Sequence, residues 1–377
     1  MTAESYGFDT ERQRLARERF SVQLRLGILR TAVFAPAIIL FLALGGSAAL
    51  RNLTAGGEPW LSLLLYFTVL YAALWAADLP FSALDHRIER RYALSRQGWR
   101  GWAFDGLKGF GMGYGFTLVA VEVLYWLLRS MPAFWWLVAW ALVLAVSLVA
   151  SVIAPVVLVR MYYRLSRLED PDLEARLRAL AERAGARVLG VFVIRTSSKT
   201  ARSNAALAGA GRTRRIVLTD TLLATHTRDE VETILAHELA HQRYRDPLIG
   251  FVESALASFT SLLVLSLLLP ITAALLGLQG IADVAGLPAM VLLGGAIGLV
   301  LGPVEALRSR QREARADRTA LELTGKPEAF ASAMVKLHDA NLSLAHPPRL
   351  LELLVMTHPA AWRRVATARA FPGRALK

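Results

Sequence analysis

Six stretches of this chain lack lysine and arginine over lengths near a bilayer's thickness, and segments dense in charge separate them. A hydrocarbon core of about 30 Å takes roughly 20 helical residues. On that scale the pattern predicts spans at Thr31–Leu50, Trp60–Pro80, Gly109–Leu128, Phe134–Leu158, Leu248–Leu278 and Leu287–Glu305. The fifth is long and holds Pro270, so it is expected to kink or tilt. The sixth is short and glycine-rich; Gly294, Gly295, Gly298 and Gly302 suit close helix packing in lipid. Four spans therefore come first, then a polar region, a two-span hairpin and a polar C-terminal region. No internal repeat is visible.

The polar regions carry their own local signals. Asp170-Pro171 before L-E-A-R-L-R-A-L-A-E-R-A-G reads as a capped helix closed by Gly185. Val188–Arg195 is rich in β-formers, and Ser203–Gly209 with Arg215–Thr219 reads as a hairpin. Thr227-Arg228-Asp229-Glu230 is a capping box that opens a helix through V-E-T-I-L-A-H-E-L-A-H.

Composition agrees with the spans: 55% of residues are hydrophobic and mean hydropathy is +0.41, too apolar for an ordinary soluble domain. Net charge is +13. Its distribution matters more than its size. Arg12, Arg14, Arg17, Arg19, Arg25 and Arg30 precede the first span; Arg87, Arg90, Arg91, Arg96, Arg100 and Lys108 follow the second; the alternate loops carry Arg51 and Arg129. By the positive-inside rule both termini and segment 159–247 are expected in the cytoplasm. The basic character then follows from topology, and no nucleic-acid-binding motif accompanies it. Residues 1–30 have no secretory-signal pattern.

There is no cysteine, so a metal site must use His, Asp or Glu, and a cysteine nucleophile is excluded. His237-Glu238-Leu239-Ala240-His241 has the H-E-x-x-H form. Residues four apart on a helix share a face, so two imidazoles can hold one zinc while Glu238 reaches a bound water as general base. A catalytic zinc needs a third protein ligand. Glu313 and Asp317, in S-R-Q-R-E-A-R-A-D, are again four apart. One can ligate while the other accepts a hydrogen bond from a ligand histidine. His241 lies just before span five and Glu313 just after span six, so the hairpin would bring them together. His86, His226, His338 and His346 have no motif context and read as surface or loop residues. Glu122 and Glu253 are acids within spans and candidates for a polar chamber.

In order along the chain, D-L-P-F-S at Asp78–Ser82, D-G-L-K at Asp105–Lys108, I-A-P at Ile153–Pro155, S-N-A at Ser203–Ala205 with Gly209, I-V-L-T-D-T-L-L at Ile216–Leu223, H-E-L-A-H, S-R-x-x-E-x-x-A-D, and T-H-P at Thr357–Pro359 with Arg364 resemble the type I CAAX prenyl protease family. These are integral-membrane zinc proteases related to bacterial HtpX-type enzymes. The likeness runs over roughly residues 55–370. It implies that Glu313 is the third ligand and Asp317 its outer partner, that His358 and Arg364 stabilise an oxyanion, and that Asn204 and Ala205 border a cleft where a peptide adds as a strand. Ala240 stands where the family has glycine, and Ala314 where it has an aromatic residue. Six spans are expected where eukaryotic members have seven, the first being without a counterpart.

The expectation is a mostly α-helical polytopic membrane protein with a zincin-like α+β protease domain on the cytoplasmic side. Its parts are 1–30 (N-terminal segment), 31–158 (four spans), 159–247 (first protease part), 248–305 (hairpin) and 306–377 (second protease part). The expected function is zinc endopeptidase, one Zn2+ per chain, acting on peptides or membrane proteins in a bacterial inner membrane. The rivals are a scaffold or chaperone with a structural zinc and a metal-coupled transporter. An intact Glu238 argues against the first, since a structural site has no use for that base. A site at the membrane boundary argues against the second.

Overall fold

The computed structural model describes residues 6–209 and 214–372, with residues 152–160 and 162 in backbone only. The polar N-terminal stretch and the first apolar stretch form one helix, α1 (Thr10–Ala43), opened by Asp9, whose carboxylate accepts from the Arg12 N–H at 2.7 Å. α1 stops at Ala43, short of the expected Leu50. Gly45 turns at φ +73° and α2 (Gly46–Leu53) starts separately. A Cβ at Gly46 would fall 2.5 Å from the Phe41 ring, so the break needs glycine there as well. The apolar pattern predicted one span because Gly-Gly is itself apolar.

α3 (Pro59–Arg91), α4 (Trp99–Ser130) and α5 (Trp135–Tyr162) follow. The motif Ile153-Ala154-Pro155 lies in the part of α5 whose side chains are outside the described set. Leu63, Tyr66, Tyr125 and Trp135 pack with Leu269 and Met290 in the interior of the bundle.

Next come β1 (Leu165–Arg167), α6 (Pro171–Arg183), β2 (Val191–Ile194), β3 (Ala205–Ala208), β4 (Arg215–Thr219), α7 (Asp220–Thr225) and α8 (Arg228–Arg243). The sheet order is β1-β2-β4-β3, with β2 parallel to β4 and the other pairs antiparallel. Ala205 stands opposite Leu218, so the expected hairpin forms; its turn at 210–213 lies outside the described residues. Asp170 caps α6 through the Leu173 N–H, and Gly185 follows it at φ +75°. Both halves of the Thr227–Glu230 capping box are formed.

α9 (Asp246–Leu275) and α10 (Leu287–Thr324) make the hairpin, and α11 (Pro327–Ala340), α12 (Arg349–Leu354) and α13 (Ala361–Arg369) complete the chain. Among the described residues α1, α3, α4, α9 and α10 are long and apolar enough to cross a membrane, and α5 adds a shorter apolar stretch over Trp135–Ser151. Leu299 is 81% exposed and Val300 73%, which is stable only where lipid replaces water. α10 runs without interruption for 38 residues, out of the apolar zone and alongside α8. α8 passes into α9 through Tyr244 and Arg245, the latter at φ +56°.

The front of α1 docks on the protease part. The Gln13 side chain, buried, donates to Asp339 Oδ1 at 2.8 Å and accepts from the Ala345 N–H at 2.9 Å. The core of the protease part is built by Leu177, Ile216, Leu218, Leu235, Leu239 and Phe330.

Candidate metal centre

α8 presents His237 and His241 one turn apart, with ring planes nearly perpendicular and centroids 4.8 Å apart. Their Nε2 atoms are 3.2 Å from each other. α10 brings in Glu313, whose Oε2 is 3.2 Å from His237 Nε2 and Oε1 3.3 Å from His241 Nε2. Two imidazole nitrogens and the two oxygens of one carboxylate thus converge, and one donor atom from each residue lies within 4.8 Å of the other two. Tetrahedral zinc with bonds of about 2.0–2.1 Å requires ligand–ligand separations of about 3.3–3.4 Å. The nitrogen–nitrogen contact and each nitrogen–oxygen contact match that spacing pair by pair. Glu313 Oε2 is also buried without a well-directed hydrogen bond, a cost that a cation would remove.

Each imidazole is held from behind in the same way. His237 Nδ1 is 2.8 Å from Asp317 Oδ1, one turn along α10 from Glu313. Arg364, from α13, grips Asp317 with two bonds, Nε to Oδ2 at 2.7 Å and Nη2 to Oδ1 at 2.6 Å. His241 Nδ1 is 2.8 Å from Asp246 Oδ2, and the other Asp246 oxygen accepts from Arg315. Two His–Asp–Arg chains thus aim both Nε2 atoms at Glu313. Burial alone would push His237 down, but its bonds to Asp317 and Glu313 outweigh it and hold the imidazole at about 9.

Asp246 and Arg315 escaped the sequence reading. Asp246 precedes Pro247 at a helix start and looks like a cap, yet Arg245 occupies the cap position. The available signal was its place five residues after His241, just past the turn that ends α8.

Arg364 has Nε and Nη2 committed to Asp317 and is buried. His358 sits between α12 and α13 with a 57% exposed side chain, its Nδ1 2.8 Å from Glu313 Oε2. Its loop is pinned from two sides. Arg310 donates to the Met356 and Leu353 carbonyls at 2.7 and 2.9 Å, and Glu352 accepts from the Ala360 N–H at 3.1 Å. Glu238 accepts no hydrogen bond from any described residue. Burial raises its carboxyl pKa, against the attraction of His237 and His241.

Asn204 immediately precedes and Ala205 opens β3, an edge strand of the sheet, which packs beside α8. Asn204 N–H donates to Thr219 Oγ1 at 2.9 Å, and Ala205 is buried in the core. Among the described residues no hydrogen bond or ion pair joins either of them to the histidine–glutamate cluster. His86 and His226 are buried rather than on the surface, His86 against Trp99 and Trp102 and His226 beside Thr225 at 2.8 Å. His338 is packed inside as well, its Nδ1 donating to the Met334 carbonyl at 2.8 Å. Glu253 pairs with Arg308 and Arg312 across the hairpin.

The model of peptidase family M48 matches residues 167–371, and that of the CAAX prenyl protease N-terminal region, five membrane helices, matches residues 7–163. An uncharacterized metalloprotease, YhfN, of Bacillus subtilis (strain 168) is 30% identical over 294 residues, 77% of this chain and 69% of that protein. CAAX prenyl protease 1 of Saccharomyces cerevisiae is 30% identical over 185 residues, 47% of this chain and 40% of that protein. The crystal structure of S. mikatae Ste24p superposes with a TM-score of 0.86 at 21% identity, covering 96% of this chain and 90% of that one, which establishes likeness of fold.

Proposed function

Because this chain belongs to peptidase family M48 and is an integral-membrane metalloprotease, we propose that it hydrolyses peptide bonds of membrane-associated proteins or peptides, with one zinc ion held by His237, His241 and Glu313. The carrying observation is the convergence of His237 Nε2, His241 Nε2 and the Glu313 carboxylate through contacts of 3.2–3.3 Å, with Glu238 on the same helix and not hydrogen-bonded among the described residues. When bound there, zinc would polarise the scissile carbonyl and lower the pKa of a water to about 7. Glu238 takes the proton from the attacking water and delivers it to the leaving amine, a task suited to a carboxylate whose pKa burial has raised. His358, exposed at the rim, donates to the developing oxyanion, worth on the order of 3–4 kcal/mol in comparable sites. Arg364 serves through Asp317, fixing the His237 ring. The extended substrate pairs with the free edge of β3 at Asn204 and Ala205.

The arginine distribution supports a cytoplasmic site and cytoplasmic termini, in a bacterial inner membrane. Several relatives bear the name CAAX prenyl protease, which makes prenylated C-terminal peptides one substrate to try. The proposal itself is membrane-associated polypeptide in general.

Full-length protein in proteoliposomes is expected to cleave a fluorogenic peptide, to lose that activity with its zinc on chelation, and to regain it with about one equivalent of zinc. Hydrolysis that continues unchanged after the zinc has been removed would sink the proposal. Asp246→Ala is expected to weaken zinc binding about 10–100-fold, measured by competition with a chromogenic chelator. Unaltered affinity in that variant would show that the His241 ring needs no such support. Arg315, 40% exposed, would lose a partner without being stranded in the interior.

A further inference from the structure

The end of α3 and the start of α4 enclose a cavity of about 830 Å³ far in sequence from the metal centre, lined by Pro80, Ala83, Leu84, Arg87, Arg90, Arg91 and Trp99. Pro80, Leu84, Arg87 and Arg91 follow one another at intervals of four, three and four, so they share a helix face. That face changes along its length from apolar to basic. No acid lines the cavity. The acids nearby are turned elsewhere: Glu89 accepts from Arg19 and Arg202, Asp78 from Arg30, and Asp85 lies 4.0 Å from the same Arg30. Among the described residues no carboxylate pairs with Arg87, Arg90 or Arg91. Three guanidinium groups within five consecutive positions repel one another, and a bound anion would offset that.

The opposite wall agrees. Trp99 is 45% exposed, and His86 and Trp102 hold its ring, with centroids 4.8 and 5.4 Å away. Exposed tryptophan is characteristic of the headgroup level of a bilayer, and Trp99 opens the polar front of α4, ahead of its apolar stretch. α4 begins at this same Trp99 with no side-chain cap and no acid in its first turn. Its first N–H groups carry partial positive charge that adds to the arginines.

We propose that this cleft binds one anionic phospholipid, the headgroup phosphate among Arg87, Arg90 and Arg91 and an acyl chain along Leu84, Ala83 and Pro80. A zwitterionic lipid would place a quaternary ammonium among the same arginines and gain far less. A free phosphate would use the arginines and leave the apolar face empty.

The test uses delipidated full-length protein in detergent and native mass spectrometry, with phosphatidylglycerol and phosphatidylcholine of identical acyl chains as probes. The wild type is expected to bind the anionic lipid at least about tenfold more tightly. In R87Q/R90Q/R91Q that preference should vanish. R12Q/R17Q/R25Q removes the same charge from α1 and should keep it. Leu84→Trp fills the apolar end with every arginine in place and should weaken the anionic lipid several-fold. Equal binding of the two lipids by the wild type would overturn the proposal, as would equal losses in both triple variants. Complete displacement by millimolar inorganic phosphate would also overturn it, by making the site one for a free anion.

Discussion

Glu238→Gln is expected to keep its zinc and lose about 10²–10⁴-fold in turnover. The substitution is nearly isosteric, and Glu238 accepts no hydrogen bond from the described residues, so little structural support is removed. Burial raises its carboxyl pKa, while the neighbouring His237 and His241 pull it down. The amide cannot accept the water's proton, so the whole loss should fall on kcat. Zinc content measured beside peptide hydrolysis separates the base from the ligands. Wild-type turnover at full zinc occupancy would remove Glu238 from the mechanism.

Glu313→Ala should abolish metal binding in practice, with a loss larger than the 10–100-fold or so expected for an outer partner such as Asp246. Its two carboxylate oxygens each face one of the Nε2 atoms, at 3.2 and 3.3 Å. Without them the two imidazoles of α8 remain as a pair with no anionic charge between them. The fold should survive, since the histidines can shed their protons and stay neutral once the carboxylate is gone. Zinc per chain by elemental analysis, with thermal unfolding as control, reads the result. Retained stoichiometric zinc would mean that the third ligand lies elsewhere.

These two expectations rest on features of unequal legibility. Glu238 and its neighbours could be read from the chain alone. The capping box at Thr227, the apolar period after it and the four-residue spacing of the histidines are all settled within one or two helical turns. The Asp170 cap and the hairpin of β3 and β4 were legible on the same ground. The spans were legible too, because crossing lipid demands a minimum run of apolar residues whatever the rest of the chain does. The first span's end was misplaced for a local reason, since an apolar count is blind to the positive φ at Gly45.

The site's depth was a different matter. That Asp246 supports His241, that Arg315 holds Asp246, and that Arg364 spends two bonds on Asp317 depend on where α8, α9, α10 and α13 meet. Arg364 is 47 residues from its partner in the chain. No spacing rule reaches that far, and a bidentate arginine and a surface arginine look alike in sequence. The same holds for the buried His86 and for Gln13, whose partner Asp339 is 326 residues away. Element type, membrane passage and the identity of the reacting groups follow from interactions between near neighbours and from the solvent each segment must face. The orientation of those groups, and which charges are spent on one another rather than on a substrate, follows from packing between distant helices, where a shift of an ångström decides whether a hydrogen bond exists.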